Sequence, residues 1–215
     1  MWGMQERIKK ISQFVHDHLM ETGKDHYDEP WGPKYRWEHT LRVAHWAWIL
    51  AKEEKADVER NVIAALFHDV SHFVSEDYRK HGEKSAEIAM DFMLKAGFPK
   101  NFAEDVSYAV SSHVGEINPK TVEAKILQDA DTLDRFGHFR ILLFGKTADL
   151  SNLEKVKTEI QSFLEYLAKT ERGEFGPMWT KTGKEKIEQF INLYKAVYGE
   201  ILSEIENTKT PETYV

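Results

Sequence analysis

The chain has 215 residues, 41% hydrophobic and 30% charged, enough for a full core and unlike a disordered or fibrous composition. It has no cysteine, which excludes disulfides and thiolate metal sites and leaves nitrogen and oxygen to hold any metal. A formal net charge of −7 argues against broad attraction to nucleic acid, whereas a small phosphorylated substrate can be met locally by a metal and a few basic side chains.

The opening residues, Met1 to Arg7, show no apolar run after their charges, and no later segment is long and apolar enough to cross a bilayer. The expectation is a cytoplasmic protein with no membrane partner. Hydrophobic residues recur with the helical period and no stretch alternates as a strand does, which predicts an all-α fold. A first helix is expected over about 4–20, with Ile8, Ile11, Phe14, Val15 and Leu19 inward. Gly23 to Pro33 reads as a loop, either a solvated connector or a wall of the site. Helices follow over about 38–54, 57–70, 82–96, 100–113 and 120–136, with Asp57 placed as an N-cap and breaks at Gly97-Phe98-Pro99 and Gly115 to Pro119. Two further amphipathic helices are expected over about 151–170, from Leu153 to Leu167 on its apolar face, and about 183–206, where Tyr194, Tyr198 and Ile201 either cover the domain or meet a second copy as a homodimer. Gly173 to Gly183 reads as a linker and Thr208 to Val215 as a frayed tail. One domain is expected over 1–215, with a core of about 35–145 and C-terminal helices of about 151–206 packed on it.

Chemistry concentrates in a few short strings. His39 opens one expected helix, His68-Asp69 ends another, and Asp129, Asp131 and Asp134 crowd one turn of a later one. The apolar run Ile63 to Phe67 leads straight into His68-Asp69, so two costly polar groups stand at the edge of a core, where burial demands partners. Three carboxylates in one turn repel unless a cation or hydrogen bonds compensate, although Asp134 beside Arg135 also fits a simple surface ion pair. Imidazoles and carboxylates from separate helices suit a divalent ion with positions open to water and a phosphate oxygen. His16, His18, His45 and His138 read as ordinary surface or capped histidines.

The ordered strings His39-x-x-Arg42-Val43, His68-Asp69-Val70-Ser71-His72, His81-Gly82-x-x-Ser85-Ala86 and Gln128-Asp129-Ala130-Asp131-x-Leu133-Asp134 resemble the HD superfamily of metal-dependent phosphohydrolases, over roughly residues 35–145. The last string is similar to its stand-alone bacterial and archaeal hydrolases. The resemblance implies a compact HD-domain helical bundle and an enzyme with His39, His68, Asp69 and Asp131 as metal ligands. It implies Asp129 as a supporting catalytic carboxylate or alternate ligand, His72 and His81 as catalytic groups near phosphate, and His81 with His113 toward a second metal or the substrate. Ser71 stands where many relatives have glycine. Arg42 and Lys146 are candidate substrate-side cations. The metal, Mn, Co, Ni, Fe, Zn or Mg, is left open. The expected substrate is a small nucleotide, for instance a nucleoside triphosphate cleaved to monophosphate and pyrophosphate. Trp31, Tyr35, Trp37, Phe73 and Phe136 are candidates to stack on a base, against the plainer reading as core. A phosphomonoesterase or cyclic-nucleotide phosphodiesterase is the alternative enzyme, and a non-catalytic metal and nucleotide sensor the alternative of another class.

Overall fold

The computed structural model describes residues 3–75, 77, 80–114, 118–174 and 176–208; the expected break at Gly115 and the tail beyond Thr208 lie outside them. Among the described residues every regular element is helical: α1 (Met4–Thr22), a 3-10 turn (Lys24–His26), α2 (Pro33–Glu53), α3 (Val58–Phe67), α4 (His81–Lys95), α5 (Lys100–Ser111), α6 (Val122–Arg135), α7 (Phe139–Thr147), α8 (Leu153–Glu171) and α9 (Lys181–Asn207). Among these residues no helix is long and apolar enough to cross a membrane. The chain forms two compact units, Met1–Asp134 with Met178–Lys184, and Arg135–Pro177 with Glu185–Val215.

The first unit is built on α3. Asp57 caps it, its side chain accepting the Arg60 N–H, and Val62 to Phe67 are all buried, so this short helix is apolar on every side and must be surrounded. α1, α2 and α5 pack against it, and α4 lies on α5. α1 contributes Ile11, Val15 and Leu19, each fully buried and worth about 1.5–3 kcal/mol by burial. Two boundaries differ from expectation. α2 begins at Pro33, five residues early, because Gly32 and Pro33 supply an extended N-cap and a first-turn proline rather than the end of a loop. α3 ends at Phe67 rather than 70, and residues 68–74 run on as consecutive turns.

Gly183 is not a linker residue. It lies inside α9, where an added Cβ would meet the Asp129 carboxylate at 2.5 Å and the Thr180 hydroxyl at 2.7 Å.

In the second unit, α8 buries Val156, Ile160 and Leu167, while Leu153, expected inward, is exposed. From α9, Ile187, Phe190, Ile191, Tyr194 and Tyr198 are buried. Phe163 meets Tyr194 and Tyr198 edge-on, and the Tyr194 hydroxyl donates to the Gly137 carbonyl at 2.6 Å. Those tyrosines are therefore spent inside the unit and offer nothing to a second copy. The sequence reading has no counterpart to α7: its N-cap His138 makes no side-chain cap bond, and its exposed apolar residues blur the helical stripe.

Candidate active site

α2 carries Arg36, His39 and Arg42 at a spacing of three, which sets them along one helix face. His39 is buried. Its Nδ1 donates to the Asp134 carboxylate at 2.7 Å, which turns Nε2 toward the end of α3. There it lies 3.2 Å from His68 Nε2, 3.4 Å from Asp131 Oδ1 and 3.6 Å from Asp69 Oδ2. His68 caps the C-terminus of α3 and donates from Nδ1 to the Ala65 carbonyl, so its Nε2 also faces inward, 3.4 Å from Asp69 Oδ2. Where α3 gives way to turns, His68 and Asp69 need not diverge by a full helical step.

The other oxygen of Asp69 faces a second group. Oδ1 is 3.0 Å from His81 Nε2 and 3.7 Å from His113 Nε2, and those two ring nitrogens are 3.0 Å apart. His113 donates from Nδ1 to the Val110 carbonyl at 2.6 Å, the same device that orients His68. His81 opens α4, and Gly82 behind it allows close approach to the end of α5: a Cβ there would meet Val114 at 2.8 Å and the Ser111 carbonyl at 3.1 Å. The turn at Ser71 is firm without glycine. Its hydroxyl donates to the His81 carbonyl and its N–H to Ser85 Oγ, both buried, which ties the His68-Asp69 turn to α4.

His39, His68 and Asp69 thus form one cluster able to hold a metal ion, and Asp69, His81 and His113 a second. The donor set fits a divalent cation. In three of the rings Nδ1 is committed as a donor, which leaves Nε2 lone pairs converging on a carboxylate. Ligand atoms about 2.0–2.2 Å from an ion lie about 3–3.5 Å apart, close to the spacings seen. Without a cation the chain compensates with protons. Burial opposes charge on His39, but its bonds with Asp131 and Asp134 prevail and push it up to about 9. Burial likewise works against charge on Asp69, and the neighbouring His68 ring together with the bonds from His113, His68 and His81 hold its carboxyl well below the usual range. His113 is lowered, by burial first.

Other expected site residues make different contacts. Asp129 points away from Asp131, about 200° around α6, and both its oxygens are taken: Trp179 N–H at 2.9 Å, Thr180 N–H at 2.8 Å and the Thr180 hydroxyl at 2.6 Å. It holds the start of α9, where Glu54 also accepts the Thr182 N–H, and is not placed as a ligand or catalytic carboxylate. Burial, helped by repulsion from Glu54, raises its carboxyl despite those bonds. Asp134 is no surface ion pair. It is buried between His39 and Arg42, whose Nε donates to it at 2.6 Å; Arg42 therefore braces a ligand holder, which differs from the expected substrate contact. Lys146 is exposed on α7 in the other unit.

His72 is close by but not an acid. Arg36 Nη2 donates to its Nε2 at 3.2 Å, and burial together with the Arg36 charge pushes it down to about 4, so it is a neutral ring at ordinary pH. Arg36 itself stands out only once α2 is known to start at Pro33. The available signal was the Arg36-x-x-His39-x-x-Arg42 spacing. The loop before α2 folds as successive turns and packs on the site side: His26 stacks on Phe73, whose ring meets that of His72 edge-on, and Gly23 lies against Phe73.

Residues 36–135, which hold every member of both clusters, match the family model described as HD domain. They are an HD domain. Over 127 residues, 58% of the chain, the sequence is 33% identical to ribonuclease Y of Syntrophomonas wolfei, a match that spans 23% of that protein, so the chain spans only about a quarter of the length of the curated relatives it matches. A predicted HD superfamily hydrolase from an uncultured Thermotogales bacterium superposes with a TM-score of 0.62 at 28% identity, covering 89% of this chain and 91% of the other. YpgQ of Bacillus subtilis, crystallised in complex with ADP, shares the fold at a TM-score of 0.61 and 19% identity, covering 95% and 97% of the two chains.

Proposed function

We propose that the HD domain is a metal-dependent phosphohydrolase acting on a small nucleotide, with His39, His68, Asp69 and Asp131 holding one divalent ion and Asp69, His81 and His113 a second. The observation that carries this reading is Asp69: one buried carboxylate aims each oxygen at a different set of imidazole nitrogens. When bound, divalent ions supply Lewis acidity, polarising phosphoryl oxygens and acidifying water. The chain's own residues orient and insulate. Asp134, itself gripped by Arg42, fixes the tautomer of His39, and the Ala65 and Val110 carbonyls do the same for His68 and His113. Ile63 to Phe67 form a dry backing in which those charges act at low dielectric. His72, neutral and accepting from Arg36, is not the proton donor to a leaving oxygen.

A nucleotide is supported by ADP in the YpgQ structure and by Trp31 and Tyr35, which meet edge-on at 4.7 Å one to two turns before His39. The ribonuclease Y relatives favour RNA as a second reading, which the net charge of −7 weighs against. The deciding experiment loads the protein with Mn, Co, Ni, Fe, Zn or Mg and assays phosphate, pyrophosphate and nucleoside release from nucleoside tri-, di- and monophosphates, cyclic nucleotides and a short RNA. Turnover of a mononucleotide that disappears in Asp69→Ala is expected. Binding without turnover would leave a sensor, and RNA cleavage alone would transfer the reading to a nuclease.

A further inference from the structure

We infer that Arg36 is the anion-gripping residue of this site, meeting a phosphoryl oxygen of the substrate beside Asp69. The inference rests on the phosphohydrolase reading and names the residue that recognises the phosphate. Two of its guanidinium N–H groups are committed, Nη1 to Asp69 Oδ2 at 2.6 Å and Nη2 to His72 Nε2 at 3.2 Å, so the planar group is held at the edge of the Asp69 clusters. Its Nε–H is buried with no hydrogen-bond partner. A buried donor left unmatched costs about 1–3 kcal/mol, and a guanidinium edge is shaped to take two oxygens of a phosphate at once. The other basic side chain on this helix face does not compete for the role, because Arg42 holds Asp134 in a two-pronged pair. His72 is already used as an acceptor from Arg36 itself, so it keeps the fork in place instead of carrying charge to the substrate. An arginine in this position also gives a protein of net charge −7 a local positive group with which to meet an anion.

The test compares wild type with Arg36→Gln and Arg36→Lys, each loaded with manganese, by titrating inorganic phosphate and pyrophosphate calorimetrically and measuring manganese content in parallel. The expected result is unchanged manganese stoichiometry in both variants, with phosphate bound about tenfold or more weaker in Arg36→Gln, the scale of one charge-assisted hydrogen bond, and partly recovered in Arg36→Lys. On a substrate that turns over, KM should rise by a similar factor. Phosphate binding within twofold of wild type in Arg36→Gln would overturn the inference. So would loss of manganese in step with phosphate in both variants, since Arg36 would then be only a prop for Asp69, and so would a wild type that binds neither anion. Phosphate binding is read without turnover, so a protein that binds phosphate through Arg36 yet hydrolyses nothing sinks the phosphohydrolase reading and spares this one.

Discussion

Asp129 and Asp131 are two residues apart and do unrelated work. The sequence could not separate them: both are acids in one string beside apolar Ile126 and Leu127, and only their angle around α6 decides which meets His39 and which meets the Trp179 and Thr180 amides. Replacing each with alanine should separate them experimentally. Asp131→Ala is expected to lose metal affinity by at least about tenfold and activity with it. Asp129→Ala should keep metal stoichiometry and lose about 1–3 kcal/mol of stability, because the amides of Trp179 and Thr180 and the Thr180 hydroxyl lose a buried acceptor. Metal analysis beside urea denaturation checks both; metal loss in Asp129→Ala would return that residue to the ligand set. The roles of His39, His81 and His113 came with the resemblance to the HD superfamily, whereas His68 and Asp69 were legible because polar groups at the end of an apolar run need partners. The neutrality of His72 was not, since it depends on Arg36, thirty-six positions away in sequence.

At the scale of helices, periodicity located most elements, and the errors trace to caps. Pro33 reads in sequence as the end of a loop, which shifts the expected start of α2 and hides Arg36. α7 lacked a start signal altogether. Gly82 and Gly183 look alike in sequence as helix-weakening residues, yet each marks a close approach. Gly82→Ala should therefore push α4 off the end of α5, separating His81 from His113. The expected outcome is roughly 1–3 kcal/mol of destabilisation from overpacking, with one metal equivalent lost while the His39 cluster still binds. Two equivalents retained would count against the second cluster.

α1 offers a pH test. His18 is half-buried against Phe14, its Nε2 buried without a partner, and burial lowers its pKa from 6.5. Because the folded ring resists a proton that the unfolded chain takes up, its contribution to stability is present above pH 6.5 and lost as pH falls through that value toward the folded pKa. His18→Phe should flatten the decline in Tm between pH 7.5 and about 5 relative to wild type; identical slopes would refute the assignment.

For the molecule as a whole, two compact units are present and the clusters belong to one of them. A cation that binds only the folded site adds about 2.7 kcal/mol at a hundred times its Kd. Hydrogen exchange with and without chelator should accordingly show protection gained in α2 to α6, residues 33–135, and little change in α8. Equal gains in α8 would mean that the units do not respond separately to metal. The division itself was hidden in sequence, because it falls at Asp134–Arg135, inside the last turn of α6, where no turn or linker residues mark it.

Asp69 gives one carboxylate to two sets of ligands, so the two occupancies cannot be independent. A cation held by either set would draw charge from the carboxylate that the other set also uses and would repel a second cation, and linkage would make that penalty identical in either order. The expected isotherm has a tight first step and a weaker second one, which would leave the protein half-loaded when free metal is scarce and would make its catalytic output a gauge of cellular metal supply.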